Sequence, residues 1–364
     1  MDGKNKKKVL IANIFGIGDV LFSTPLVANI KKNMPGVSVD YLCNKRVKDM
    51  VKMVPGVDKV IVYEKDDYVS LWQRSKKAFF SEVAGLMREI KTGRYDVVID
   101  LTMSRKFGFL FFLSGIKERL GLDYRKRGLF LTRKITIEGF KDKHVTEHYL
   151  DILGLMGITP SENVTRIVPD EEALKGAEEY LVEKGRGKGP LVAVIPGGGA
   201  SWGAQAARKR WPPKEFAIVA DMLAAEGCDI IILGDRAEAG LCFYLAGLMR
   251  SIPLAVDNAL ELRDYASLLA SCDLVLCNDG GPLHMAVAAG TATVSIFGPV
   301  DEKIYGPFPQ SGHHKVMTAR NVDCRPCYKN FRLPECVSGQ ECLLALEPGD
   351  VFDACMSLIK GKNA

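Results

Sequence analysis

Apolar runs of strand length alternate with stretches of helical periodicity along most of the chain. Val9-Leu-Ile-Ala-Asn-Ile14 leads through a glycine-containing turn into an amphipathic stretch from about Val20 to Lys32, which predicts a strand followed by a helix. Val37–Leu42, Val60–Val62 and Val97–Leu101 read as further strands, separated by helical segments such as Val47–Val54 and Ser81–Ile90. Repetition of this order predicts a parallel sheet with helices on both faces, because parallel strands need crossover connections and those connections cover the sheet.

From about Gly157 to Gly189 the chain turns polar, with a helix over Glu171–Glu183 that ends in Lys-Gly-Arg-Gly-Lys-Gly, a composition suited to a boundary. The alternation then restarts, with strands at Leu191–Ile195, Asp229–Leu233, Leu274–Cys277 and Thr293–Phe297. The reading is an α/β chain of two Rossmann-like domains, residues 1–165 and 166–364. Tandem domains of this kind bind ligands in a cleft at the carboxyl ends of their strands. Chemistry is therefore expected in Gly16–Asp19, Pro196–Ser201, Gly234–Glu238, Asn278–His284 and Gly298–Pro299.

Charge sharpens this division. The whole chain carries +5, but residues 1–150 hold 29 Lys+Arg against 17 Asp+Glu, or +12, which leaves −7 for the remainder. A basic first half points to an anionic partner. The N-terminus is polar and basic with no apolar signal segment, and no apolar run approaches the roughly 20 residues of a membrane span, so a cytoplasmic protein is expected. Ten cysteines in a long chain without such a signal are expected to stay reduced, with Cys43, Cys228, Cys242, Cys272 and Cys277 buried among apolar neighbours.

Three turns carry candidate chemistry. In the first, Gly16-x-Gly18 follows a strand, but Leu21 stands where a dinucleotide fingerprint needs its third glycine, which argues against a nicotinamide-dependent dehydrogenase. Asp19 reads either as a helix N-cap or as a carboxylate placed to deprotonate an acceptor hydroxyl. In the second, Pro196-Gly-Gly-Gly-Ala-Ser201 brings backbone N–H groups of Gly198 and Gly199 and the Ser201 hydroxyl within reach of an anion, and Arg208-Lys-Arg210 supplies cations for a diphosphate. In the third, Asn278-Asp-Gly-Gly-Pro-Leu-His284 opens a helix, so Gly280 and Gly281 expose donors at its N-terminus while Asp279 is a candidate cap and His284 a candidate ligand or core histidine.

Gly18-Asp19 followed by Thr24-Pro25, Lys209-Arg-Trp-Pro212, Asp279-Gly-Gly-Pro-Leu-His284, Phe297-Gly-Pro299 and Tyr305-Gly-Pro307 together resemble the successive motifs of glycosyltransferase family 9, the ADP-heptose:lipopolysaccharide heptosyltransferases. The resemblance implies a GT-B fold, two Rossmann-like domains facing across a cleft, with the acceptor on the first and the nucleotide-sugar on the second, and no cofactor for catalysis. It implies an inverting, metal-independent transfer of heptose from ADP-heptose to an inner-core lipopolysaccharide acceptor. Gly18 and Asp19 fall at the acceptor, with Asp19 as general base. Lys209 falls at the leaving diphosphate with Arg208 and Arg210 as substitutes, and Asp279, Gly281 and His284 fall at the donor. Gly280 departs from the family, which commonly has Ser or Thr there. Asp235 and Glu238 are the candidates for the nucleoside end.

Transfer of another nucleotide-linked sugar to a different surface glycan, or nucleotide-sugar binding without catalysis, are the alternative readings. No nucleic-acid partner is expected. Cys324-x-x-Cys327 with Cys336 and Cys342 has the count for a structural zinc, against a redox-sensitive pair or isolated thiols. Between Arg105 and Lys143 lie 11 Lys+Arg against 4 Asp+Glu, including Arg125-Lys126-Arg127, beside the apolar run Phe107–Leu113. This segment is read as the site of an anionic, lipid-linked saccharide acceptor, with peripheral contact to the inner membrane; the alternative is a core helix with a solvated face.

Overall fold

A computed structural model describes residues 7–362, apart from the side chains at positions 200, 201, 204 and 362. The chain divides into two compact units, Met1–Thr165 and Arg166–Ala364. The first unit is built on β1 (Lys8–Ala12), β2 (Ser38–Cys43), β3 (Lys59–Val62), β4 (Val97–Asp100), β5 (Glu118–Tyr124) and β6 (Arg133–Ile137), ordered β3-β2-β1-β4-β5-β6. All its neighbours are parallel.

The second unit repeats the plan with β7 (Leu191–Ile195), β8 (Asp229–Leu233), β9 (Ala255–Asp257), β10 (Leu274–Asn278), β11 (Ala292–Ile296) and β12 (His314–Met317), ordered β12-β11-β10-β7-β8-β9. Counted from β9, this is the same arrangement as in the first unit. Each sheet reverses direction beside its first strand, between β1 and β4 and between β7 and β10. The turns that leave such a switch point are splayed to opposite faces, which opens the crevice where ligands bind.

The central strands are runs of Val, Ile and Leu buried on both faces, and their hydrophobicity made them legible. β5, β6, β9 and β12 were not foreseen. β6, β9 and β12 are sheet edges with half-exposed or exposed residues, so their sequences lack the apolar run. β5 hides behind charge, in Glu-Arg-Leu-Gly-Leu-Asp-Tyr.

The stretch expected as one helix from Val20 to Lys32 is broken. Helices Ile17–Phe22 and Thr24–Asn33 meet at Ser23, whose hydroxyl donates to the Val20 carbonyl at 2.7 Å and lies 2.6 Å from the Tyr41 hydroxyl. Pro25 follows at the second helix's start, where its missing N–H costs nothing. The five cysteines expected in apolar surroundings are buried, as is Cys355.

Candidate functional site

In the first unit the turn after β1 is a shaped element. Gly16 caps helix Ile17–Phe22 with an extended backbone, so Asp19 lies within the first turn of the helix and is not its N-cap. Two asparagines that sequence reasoning passed over hold this turn. Asn13 donates through Nδ2 to the Asp19 carbonyl at 2.9 Å and accepts from the Phe15 N–H at 3.2 Å, while Asn44 donates to the Phe15 carbonyl at 2.5 Å. Gly18 and Asp19 remain half-exposed on the rim.

Across the switch point, Ala12 of β1 registers with Asp100 of β4. Asp100 is buried, and burial pushes its carboxyl up to about 6 despite hydrogen bonds from the Thr102 N–H at 2.9 Å and hydroxyl at 2.6 Å. Arg125, Lys126 and Arg127 leave the end of β5 as three exposed cations. The guanidiniums of Arg125 and Arg127 lie over the Tyr124 ring at 4.9 and 5.7 Å, and Arg105 donates to the Lys126 carbonyl at 2.9 Å. The charge is thus presented at a strand end by a braced turn.

The second unit assembles its site from four segments. The loop after β7 carries Gly198 and Gly199 with φ of +103° and +77°, conformations that L side chains rarely adopt. A Cβ at Gly197 would lie 2.2 Å from the Glu238 carboxyl group, and that carboxylate explains the loop's shape. Glu238 is buried; its Oε1 accepts from the Gly198 N–H at 2.6 Å and from Arg210 Nη2 at 2.8 Å. Arg210 Nε donates to the Gly198 carbonyl at 3.0 Å, so both ends of one residue are clamped.

Asp235 caps the short turn that bears Glu238, accepting from its N–H at 2.9 Å. Asp235 and Glu238, singled out above for the nucleoside end, therefore already have loop partners in this structure. Arg210 belongs to the same brace.

The loop after β10 packs on the loop after β7. A Cβ at Gly280 would stand 3.2 Å from the Gly199 nitrogen, so the glycine that departs from the expected hydroxyl residue permits close backbone approach. Asn278, also passed over in the sequence, staples the two loops. It donates to the Pro196 and Gly197 carbonyls at 2.9 and 3.1 Å, and accepts from the Trp211 N–H at 2.8 Å. A polar residue closing the apolar strand Leu-Val-Leu-Cys-Asn was the available signal.

Asp279 does not cap the helix Gly281–Ala289, whose N-cap is Gly280. Its carboxylate forms a buried ion pair with Lys209, and the Lys209 ammonium also lies 4.4 Å from the centroid of the Trp202 ring. Trp202 in turn stacks on Tyr328 at 4.8 Å. His284 is buried on the same helix, which Gly281 opens.

Arg208 lies beside the thiols of Cys336 and Cys327, so its charge is directed toward the C-terminal cysteine segment. The Ser201 side chain lies outside the described residues. Of the donors expected here, the Gly198 N–H is already given to Glu238; the turn at Gly199, the helix start at Gly281 and Lys209 gather at one switch point, an arrangement that meets a phosphate group.

The four C-terminal cysteines share a neighbourhood. Burial and then the other three thiols push Cys342 up to about 11, whereas N–H groups near Gln340 and the Arg208 cation hold Cys336 below the usual thiol range. Among the described residues, however, no three His, Cys, Asp or Glu side chains form a set able to hold a metal ion. No described helix is long and apolar enough to cross a membrane.

Comparison with known proteins agrees with this arrangement. The model of glycosyltransferase family 9 (heptosyltransferase) matches residues 83–337. Lipopolysaccharide heptosyltransferase 3 of Escherichia coli is 22% identical over 322 residues, 84% of this chain and 89% of that protein. Among solved structures, a glycosyl transferase family 9 protein from Veillonella parvula superposes with a TM-score of 0.81 at 22% identity, covering 98% of this chain and 97% of the other. An E. coli heptosyltransferase solved with ADP-2-deoxy-2-fluoro heptose gives 0.71 at 20% identity, covering 98% of this chain and 100% of the other. These likenesses assign the two sheets to the GT-B fold.

Proposed function

Since the chain belongs to glycosyltransferase family 9, we propose that it transfers heptose from ADP-heptose to an inner-core lipopolysaccharide precursor. The observation that carries the donor half is the paired glycine turn at the β7–β10 switch point with Lys209 buried beside it. The names of the relatives support heptose as the sugar.

In the proposed reaction the Asp19 carboxylate takes the proton of an acceptor hydroxyl as its oxygen forms a bond to the anomeric carbon. The bond from that carbon to the diphosphate oxygen breaks, and the nucleoside diphosphate leaves with the electron pair. Configuration inverts because attack and departure occur on opposite faces. Lys209 and the turn at Gly199 stabilise the leaving charge, with Arg208 and Arg210 as the substitutes should they leave their present partners, and no step is routed through a metal. Asp279, Gly280, Gly281 and His284 shape the donor turn, and Asp235 and Glu238 stand at the end of β8 as candidates for the nucleoside. Arg125, Lys126 and Arg127 pair with anionic groups of a lipid-linked acceptor at the membrane surface.

The reading is tested by thermal stabilisation against a panel of nucleotide-sugars, since a ligand that binds only the folded state raises apparent stability. Preferential stabilisation by ADP-sugars over UDP- and GDP-sugars is expected; preference for another nucleotide transfers the proposal to a different donor. A structural zinc on Cys324, Cys327, Cys336 and Cys342 would require that segment to draw tighter than it stands. Elemental analysis at about one zinc per chain tests it.

A further inference from the structure

The first unit carries a helical hairpin that the proposed transfer reaction does not use. Helices Lys65–Arg74 and Lys76–Gly93 are joined at the single extended residue Ser75, whose hydroxyl accepts from the Ala78 N–H at 3.2 Å. Their inner faces are ordinary core: Tyr68, Leu86 and Ile90 pack with Leu10, Val98, Phe107 and Phe111. From that core an aromatic ladder runs outward. Phe107 meets Tyr63 at 4.9 Å, Tyr63 meets Tyr68 at 4.6 Å, Tyr68 meets Phe79 at 6.2 Å, and Phe79 meets Trp72 at 5.0 Å.

The ladder ends in solvent. Trp72 is 47% exposed, Phe80 60% and Val69 46%, although Trp72 and Phe80 still touch, with ring centroids 6.1 Å apart. Single exposed apolar residues are common, but two large rings and a valine clustered at one tip form a patch that calls for a partner.

The charge around this tip selects the partner. From Tyr68 to Ser81 the chain holds Arg74, Lys76 and Lys77 and no Asp or Glu, and all three cations are exposed. The Lys76 ammonium lies over the Trp72 ring, 5.4 Å from its centroid. The nearest acids flank this window: Asp66 and Asp67 lie up to one turn before Val69, with Asp66 3.3 Å from Arg46, and Glu82 follows Phe80 by two residues. Lysine is depleted in protein–protein interface cores, whereas cations with long stems around Trp and Phe suit an interface that is anionic outside and apolar beneath.

We infer that the tip of the hairpin 65–93 docks the protein on an anionic lipid bilayer. Val69, Trp72 and Phe80 enter the headgroup region, and Arg74, Lys76 and Lys77 pair with lipid phosphates. The neighbouring helix Arg105–Leu113, which touches the second helix of the hairpin, leaves Phe109, Phe112 and Leu113 exposed, with Arg119 of β5 over Phe112 at 5.4 Å. The inference rests on the proposed lipid-linked acceptor for its biological sense, but vesicle binding is measured with neither substrate present.

The experiment is flotation of the full chain with vesicles of phosphatidylcholine alone or with about one-third phosphatidylglycerol, at low and high salt. Each cation near such a surface strengthens partition about fivefold, so Arg74→Gln with Lys76→Gln and Lys77→Gln should weaken it by roughly a hundredfold in low salt. Trp72→Ala with Phe80→Ala should abolish the binding that persists at high salt. Brominated lipids should quench wild-type fluorescence but not that of Trp72→Phe.

Thermal stabilisation by ADP-sugar, measured on the same proteins, is expected to be unchanged; this separates loss of docking from failure of the donor assignment. Absence of binding to the anionic vesicles, or equal binding by wild type and both multiple variants, overturns the inference. So does a wild-type dimer that Trp72→Ala with Phe80→Ala dissociates without any vesicle binding.

Discussion

Replacing Lys209 by alanine removes two things at once, and the structure allows them to be separated. The ammonium is buried against the Asp279 carboxylate, which is itself buried, and it lies over Trp202. Deleting the cation leaves a carboxylate out of water with its charge uncompensated, a loss of about 3–5 kcal/mol, with about 1–2 kcal/mol more from the cation–π contact. Against a total stability of about 5–15 kcal/mol this is severe, and at about 2–4 °C per kcal/mol it lowers the melting temperature by on the order of 10 °C.

Lys209→Met combined with Asp279→Asn removes both charges and keeps the stem. It should fall within about 2 kcal/mol of wild type, so Lys209→Met and Asp279→Asn, each costing about 3–5 kcal/mol alone, should couple by about 4 kcal/mol or more. Urea unfolding followed by fluorescence of Trp211, fully buried in the second unit, measures all four proteins. Single-turnover transfer then separates stability from chemistry, because the double variant is folded yet lacks the cation for the leaving diphosphate and should stay slow. Single variants that each cost less than about 1 kcal/mol, with additive effects, would refute a desolvated pair. Near wild-type transfer by the folded double variant would remove Lys209 from the reaction.

Asp19→Asn should preserve the fold and donor binding but slow single-turnover transfer by about two orders of magnitude or more, the scale of losing a general base; unchanged turnover reduces Asp19 to a charge in the first turn of a helix. Reversing Arg125, Lys126 and Arg127 to Glu should raise the acceptor KM, more at low salt than at high, with donor affinity unchanged; equal kinetics across a salt series would exclude this turn. Burial raises the Asp100 carboxyl to about 6 from an ordinary 3.8, so the native state binds a proton that the unfolded chain does not hold, and stability falls as pH rises through that window. Asp100→Asn, which retains an acceptor for Thr102, should therefore gain up to about 3 kcal/mol at pH 7.5 and almost nothing below about pH 4, as read by urea unfolding.

Much of this protein is local, and local features are legible. Strands such as Leu191–Ile195 are apolar because both faces are covered, and the glycines at 198 and 199 occur where the backbone must turn left-handed. The order of strand, turn and helix, the boundary near residue 165 and the turns holding Asp19, Lys209 and Asp279 follow from such patterns, since periodicity and turn chemistry act within a few residues. The edge strands β6, β9 and β12 escape this reading because much of each faces water, whereas the edge strand β3 keeps the apolar run Val60–Val62 and was legible.

What tertiary structure alone decided is which distant groups meet. Sequence spacing does not indicate that Lys209 would pair with Asp279, that Glu238 would lie beneath Gly198, or that Asn278 would staple the loop after β7. Those contacts exist because β7 and β10 become neighbours at the switch point of their sheet, bringing the loops at their ends together. The same holds for the aromatic helix Arg105–Leu113. Its composition cannot distinguish core from surface, but packing buries Phe107 and Phe111 and leaves Phe109 and Phe112 outside, because burial is a property of the neighbours that fold against a residue.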